Sequence, residues 1–403
     1  MSLSFMNDLL EDIPKNYRSV WLCKAIDKKL LENKQWSNEA YAALEGLLSQ
    51  MLTKTASDMD VGGERAQQKV WYRTYGHKTP AADLGKFTVT EVMTMLLALL
   101  QEDQKERLYT NKSIDFALSI DLPVTDRPVR FRGSVYFERS TLCANFRLVN
   151  QALFSIVDLG IPAPIEKRLN LKYEKSGLVL VTGITGSGKS STLDSVIDLN
   201  NRENDAHIIV LGNPIEYVHD SKMSLVTHRE VGEDVVSFRS GTIEALRQDP
   251  DIVVVGEMRD AATMVTVLEV TDSGHKVFST LHTSSAVDSI HRIIAEFPPN
   301  EQDRIRHRLA DTLNIVISQK LVPNKKGKLT LAKEILSVNP SVQSAIRNNN
   351  LSEIFQMITE GKNRGMFTMQ QDLHRLVKNG EITVETALNY CNNKKVMIRL
   401  LKY

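Results

Sequence analysis

The sequence predicts an α/β protein in which an α+β domain precedes a parallel-sheet core and a helical region follows it. Three features carry this. The strings LVLVTG, HIIVLG, DIVVVG and HKVFSTLH, between Leu178 and His282, are nearly continuous apolar runs, as in strands buried on both faces. Helical segments alternate with them, as in a parallel α/β sheet. Before residue 150 the strings IDFALSID, VRFRGSVYFE and LCANFRLV instead alternate apolar with polar residues, the habit of a small antiparallel sheet.

Taken in order, residues 1–54 read as a helical N-terminal extension, with Tyr41, Leu44, Leu48, Met51 and Leu52 on one face. Residues 55–150 read as the α+β domain. Within it Lys69–Gly76 reads as a strand, and Thr88 and Glu91 open a helix as a capping box with Val92, Leu96, Leu99 and Leu100 on its buried side. A linker with a Gly-Ile-Pro turn and one amphipathic helix is expected over 151–176, and the sheet core over 177–335, closing with a hairpin turned at Lys-Gly. Residues 336–403 read as short helices broken at Gly361, Gly365 and Gly380.

Composition excludes several classes. With 50 basic and 49 acidic residues the net charge is +1, so the basic excess of a nucleic-acid binder is missing and no nucleic-acid partner is expected. Cys23, Cys143 and Cys391 lie too far apart for a Cys-x-x-Cys metal or redox pair, which suits a reducing cytoplasm. The first twenty residues lack a secretory apolar core, and the longest apolar stretch, Val92–Leu100, is about half a membrane span. A soluble chain is expected, peripheral to any membrane it serves.

The strand LVLVT runs into Gly183-Ile-Thr-Gly-Ser-Gly-Lys-Ser190 and then a helix, the context that G-x-x-x-x-G-K-[ST] requires. Gly183, Gly186 and Gly188 permit backbone angles that turn N–H groups inward around phosphate oxygens, with Thr185, Ser187 and Ser191 completing the loop and first helical turn. Lys189 reaches the β- and γ-phosphates, and Ser190 ligates Mg²⁺. The pattern implies ATP or GTP. Glu257, at the end of the strand DIVVVG, is placed to hold the metal's water shell. His275 and His282 flank a strand at a separation outside zinc spacings.

The ordered strings VTGITGSGKSSTLDSVID, NPIEYVHDSKMSLVTHREVGEDVVSF, EALRQDPDIVVVGEMRD, SGHKVFSTLHTSSAVDSIHRI, VISQKL and GMFTMQQDLHRLVKNGEIT resemble the secretion ATPases of type IV pili and type II secretion, most closely their PilT-type retraction branch. ASDMDV and VRFRGSVYF echo that family's N-terminal domain. The resemblance implies a hexameric ring of subunits, each a PAS-like domain joined to a RecA-like ATPase domain with ATP and Mg²⁺ between them. It implies a cytoplasmic motor, peripheral at the inner membrane, acting on a platform protein to retract a pilus, with a paralogous ATPase as a further partner. It assigns Glu257 to the atypical Walker B box, His275 and His282 to the His box near the γ-phosphate, and Arg130, Arg132 and Arg147 to completing the site.

One box departs from the family. Its Asp box reads Glu-Asp-Pro-x-Glu, the first glutamate activating the attacking water; here Gly212 and Asn213 stand in those places, while Pro214 and Glu216 are kept. Loss of a general base typically costs ~10² to 10⁴ in rate. Three outcomes stay open: slow hydrolysis with Glu216 or Glu257 positioning the water, an ATP-binding structural or regulatory subunit with little turnover, or compensation by a neighbouring subunit. An assembly or secretion ATPase is the alternative to retraction, but the paired Cys-x-x-Cys insertion frequent in assembly motors is not in this sequence.

Overall fold

Alternation in the first part of the chain and continuity in the second produce two different sheets. The computed structural model describes residues 3–402 apart from 64, 65, 67, 75, 123, 124, 126, 127 and 150–152. Its units are Met1–Gln151 and Ala152–Tyr403.

The first unit comprises α1 (Met6–Leu10), α2 (Ser19–Glu32), α3 (Lys34–Thr53), β1 (Ala56–Gly62), β2 (Trp71–Thr74), β3 (His77–Pro80), α4 (Val89–Leu99), α5 (Glu102–Asn111), β4 (Ser113–Ile120), β5 (Val129–Glu138) and β6 (Thr141–Leu148). The strands form an antiparallel sheet in the order β3-β2-β1-β6-β5-β4. Met59, Phe131, Val135 and Phe146 point to its covered face, where Val92 and Leu96 of α4 and Leu44, Leu47, Leu48 and Met51 of α3 meet them. Leu9, Ile26 and Leu30 from α1 and α2 belong to the same core, so the N-terminal helices share the sheet's interior. Tyr41, expected on the buried face of α3, is 36% exposed; Leu47 and Ala40 are buried on that helix. The capping box forms, and Glu91 also accepts the Leu3 N–H at 3.0 Å. In the predicted strand Lys69–Gly76 the pairing covers Trp71–Thr74; Tyr75 lies outside the described residues, and Gly76, at φ 84°, turns the chain into β3.

The second unit comprises α6 (Ala163–Leu169), β7 (Gly177–Thr182), α7 (Lys189–Glu203), β8 (His207–Gly212), β9 (Leu225–Glu230), α8 (Phe238–Ala245), β10 (Ile252–Val255), α9 (Ala261–Asp272), β11 (Lys276–Leu281), α10 (Ala286–Ala295), α11 (Pro299–Thr312), β12 (Leu313–Pro323), β13 (Leu329–Ser337), α12 (Pro340–Arg347), α13 (Leu351–Glu360), α14 (Met369–Lys378), α15 (Val384–Tyr390) and α16 (Lys394–Leu401). Its sheet runs β13-β12-β7-β11-β10-β8-β9, all parallel except β13.

Successive residues of each central strand enter opposite cores, which is why the strands read as unbroken apolar runs. Leu178, Leu180, Ile209, Leu211, Val253 and Val255 pack on one face with Met264, Val267 and Leu268 of α9 and Ile290 and Ile293 of α10. Val179, Ile208, Val210, Ile252, Val254 and Phe278 pack on the other with Val196 and Ile197 of α7. The stretch expected as a linker over 151–176, of which 151 and 152 lie outside the described residues, adds Ile161, Ile165, Leu169 and Leu171 to this second core. Met369, Leu373, Leu376 and Met397 of the C-terminal helices form a separate cluster with Val322 and Ala332 of the β12–β13 hairpin.

Candidate nucleotide site

All six residues of β7 are buried, so the strand delivers the glycine loop to the sheet's carboxyl edge from a fixed position. Gly183, at φ 151°, admits no side chain: an added Cβ would lie 2.3 Å from Ser187 Oγ and 2.6 Å from Gln319 O. Gly188, at φ 85°, begins α7 without a side-chain cap, leaving the first-turn N–H groups to face the loop. Ser187 Oγ is buried without a hydrogen-bond partner. Lys189 spans the loop, its ammonium donating to Gly183 O at 2.9 Å and Ile184 O at 3.1 Å. Burial holds the Lys189 ammonium below the usual lysine range, and the charges of Glu216 and Glu257 oppose that effect. Anion-ready amides, a cation head held only by two loop carbonyls and a crest open at Ile184, Thr185 and Gly186 fit a polyphosphate.

On the side away from β12, β7 pairs with β11, with Leu281 opposite Thr182, and β10 follows it. Glu257 therefore emerges two strands from the loop at the same edge. Its carboxylate takes Arg259 Nε at 2.8 Å and lies 3.9 Å from His282 Nε2. Thr280 pins the turn by donating to Gly256 O at 2.6 Å. Burial and the nearby Lys189 charge push His282 below its ordinary value, and the Glu257 carboxylate opposes them. Among the described residues no group of three or more His, Cys, Asp or Glu is arranged to hold a metal ion. Ser190 and Glu257 offer the sparse oxygen set that suits Mg²⁺, which keeps water and phosphate oxygens.

His275 is not brought to the loop. It lies just before β11, beside the start of β7, so the length of a six-residue strand, about 20 Å, separates it from the loop. Its ring is bonded to Ser273 Oγ at 2.9 Å and Val270 O at 3.2 Å, closing the end of α9. The strand that puts His282 at the phosphate edge necessarily puts His275 at the other one.

Beyond β8, Gly212 opens a loop whose Glu216 is exposed and felt electrostatically by Lys189 and Asp194. The loop is clipped to α7 by His219: its Nε2 lies 3.3 Å from Asp194 Oδ1, and its main-chain N–H donates to His228 Nε2 at 3.1 Å. The His219 ring stacks on His228 at 5.9 Å and tilts against Tyr217 at 4.6 Å. Burial pushes Asp194 up, with His219 pulling the other way. On β9, paired with Gly212, Glu230 accepts the Ile215 N–H at 3.2 Å.

In the first unit, Arg130, Arg132 and Arg147 share the sheet face opposite the core, and Arg132 and Arg147 pair across β5 and β6. Arg147 Nε is held by Asp58 at 2.8 Å, Arg132 lies 3.7 Å from Asp115, and Arg130 donates to Ser119 Oγ at 3.3 Å.

Sequence reading did not find Asp194, His219 or Gln319. Asp194 and His219 are 25 residues apart and no local pattern joins them. Gln319 reaches the loop only because β12 pairs with β7. For Arg259 the sequence does hold a signal, an acid and a base two apart in GEMRD.

A parallel sheet whose strand enters a Gly-x₄-Gly-Lys-Ser loop and helix, with an acid at the end of a nearby strand, defines a P-loop nucleoside triphosphatase. More narrowly, the chain belongs to the type II/IV secretion system protein family, T2SSE, a family of secretion ATPases whose profile matches residues 37–399. It is 37% identical over 316 residues to a twitching motility protein of Neisseria gonorrhoeae, covering 78% of this chain and 82% of that protein. It is 36% identical over 297 residues to the type IV pilus retraction ATPase PilT of Pseudomonas aeruginosa, covering 74% and 84%. A crystal structure of the pilus retraction motor PilT with bound ADP superposes with a TM-score of 0.79 at 35% identity, over 88% of this chain and 98% of that one.

Proposed function

We propose that the chain is an ATP-driven motor subunit of a type IV pilus or related system and that it powers pilus retraction. The observation that carries this reading is the gathering of Lys189, Ser190, Glu216, Glu257 and His282 at one sheet edge, in a chain similar to a PilT motor over 88% of its length. Amides from Gly183 to Gly188 and the first turn through Ser191 cradle the phosphates. Lys189 exchanges its two carbonyl partners for β- and γ-phosphate oxygens. Ser190 and Glu257 would hold Mg²⁺, which when bound would supply charge compensation on the phosphate oxygens. Arg259, 2.8 Å away, orients Glu257, and by family likeness His282 stands near the γ-phosphate. Glu216 is the carboxylate left to position water where Gly212 has none. By family likeness Arg130, Arg132 and Arg147 stabilise the transferring phosphoryl group, a role worth ~10³ to 10⁵ in rate.

The reading includes a homohexameric ring in the cytoplasm, peripheral at the inner membrane, working on a platform protein beside a paralogous ATPase. Deleting the gene tests direction: excess surface pili support retraction, and bald cells contradict it in favour of assembly. Gly212 favours a second reading, an ATP-binding structural or regulatory subunit with little turnover. Steady-state phosphate release separates the two.

A further inference from the structure

The α2 helix has a face that the core does not use. Cys23, Ile26 and Leu30 turn inward, while Trp21, Lys24, Lys28 and Leu31 recur at three- and four-residue spacing on the outer side. Trp21 is 71% exposed and Leu31 64%. Between Asp12 and Glu32 the only acidic residue is Asp27, buried against the Lys105 ammonium at 2.6 Å. The same span carries Lys15, Arg18, Lys24, Lys28 and Lys29. Lys29 is taken up by Asp12 at 2.7 Å, and Lys28 has a loose, exposed contact with Glu32 at 3.9 Å. Arg18 donates to two main-chain carbonyls, Lys15 O and Tyr17 O, which leaves its charge uncompensated there. Lys24 lies over the Tyr109 ring of α5, and the Ser19 N–H is tied to Ser140 O, bringing the turn that bears Arg139 to the start of the helix.

Residues 1–32 hold five basic and five acidic side chains, so the basic excess is confined to residues 13–31, where the one acid, Asp27, is buried. A solvated basic face has no need of an indole. An exposed indole beside a tyrosine ring at 6.4 Å, on a span that carries Arg18, Lys24 and Lys28 and is closed by the exposed acids Asp12, taken by Lys29, and Glu32, loosely held by Lys28, matches a different environment. In the headgroup layer of an anionic bilayer the ring lies at the acyl boundary while ammonium groups meet lipid phosphates. An acidic protein surface would answer the cations but would need apolar pockets placed for Trp21 and Leu31, whereas a bilayer offers phosphates and acyl boundary across its whole face. We propose that the outer face of α2 docks onto an anionic lipid surface. This does not rest on the ATPase reading.

The test is co-sedimentation of the full chain with vesicles of phosphatidylcholine alone and of phosphatidylcholine with phosphatidylglycerol. Partition is expected to be about tenfold stronger onto the anionic vesicles and to weaken with salt. Lys24→Glu/Lys28→Glu should lower it about tenfold, and Trp21→Ser severalfold. These residues are exposed, so far-UV circular dichroism should be unchanged. A blue shift of tryptophan emission on vesicle addition should disappear in Trp21→Phe. Equal partition onto both vesicles, partition indifferent to the α2 variants, or none at all would overturn the proposal; the last would point to an acidic protein or a second copy on this face.

Discussion

At Gly212 an added Cβ would lie 2.6 Å from Ile215 Cδ1 and 3.1 Å from Pro214 O, so restoring a glutamate there requires room as well as chemistry. Ile215→Val removes the crowding atom. The double variant Gly212→Glu/Ile215→Val is expected to raise kcat about tenfold or more, since a general base contributes ~10² to 10⁴. Single-turnover phosphate release checks it. No rise would mean that Glu216 or Glu257 already positions the water. Lys276 gives a prediction of another kind. It is wholly buried, with Nζ donating to Arg168 O and Glu174 O at 2.8 Å, and burial lowers its pKa to about 8 from 10.5. A neutral amine still has two N–H donors for those two carbonyls. Between pH 8 and 10.5 the unfolded chain holds a proton that folded Lys276 has lost, so stability rises with pH in that window. Below it the penalty is on the order of 3 kcal/mol. The difference in Tm between the wild-type chain and Lys276→Met should therefore shift in favour of the wild type from pH 8 to 10, measured by calorimetry.

At the scale of elements, the Asp194–His219 contact joins α7 to the loop after β8 and so fixes Glu216 relative to Lys189. His219→Ala is expected to lower kcat by about tenfold to a hundredfold, as misplacement by an ångström does. ADP affinity, measured by titration calorimetry, should stay within about twofold, because the glycine loop is anchored separately by β7. Equal losses in both would contradict the positioning role. The central strands were legible because both of their faces are buried, which leaves apolar residues at every position. The edge strand β9, reading LVTHRE, was not: it buries only Val226 and Glu230, and no run of apolar residues marks it. The two histidines flanking β11 look equivalent in sequence. Only the strand's length and register separate the phosphate edge from the other end.

For the whole molecule, helical character over the first 54 residues was legible from spacing, but its place in the core was not, because the contacts pair residues far apart in the chain. Leu9, Ile26, Leu30, Leu44, Leu47, Leu48 and Met51 each contribute about 1.5–3 kcal/mol by burial. Together they match or exceed the ~5–15 kcal/mol net stability of a typical domain. Deleting residues 1–54 is thus expected to leave the first unit without fixed packing, seen as loss of near-UV circular dichroism in that unit's aromatic residues; a well-packed truncated chain would refute the shared core. The adjacency of β12 to β7, which puts Gln319 beneath the glycine loop, is likewise a long-range pairing without a local sequence signal. Hydrolysis is proposed to require Lys189 and its loop to hold ATP. Magnesium-dependent phosphate release by the purified full chain, compared with Lys189→Ala, tests this most directly: slow release abolished by the substitution is predicted, and release at the same rate in both proteins would contradict it.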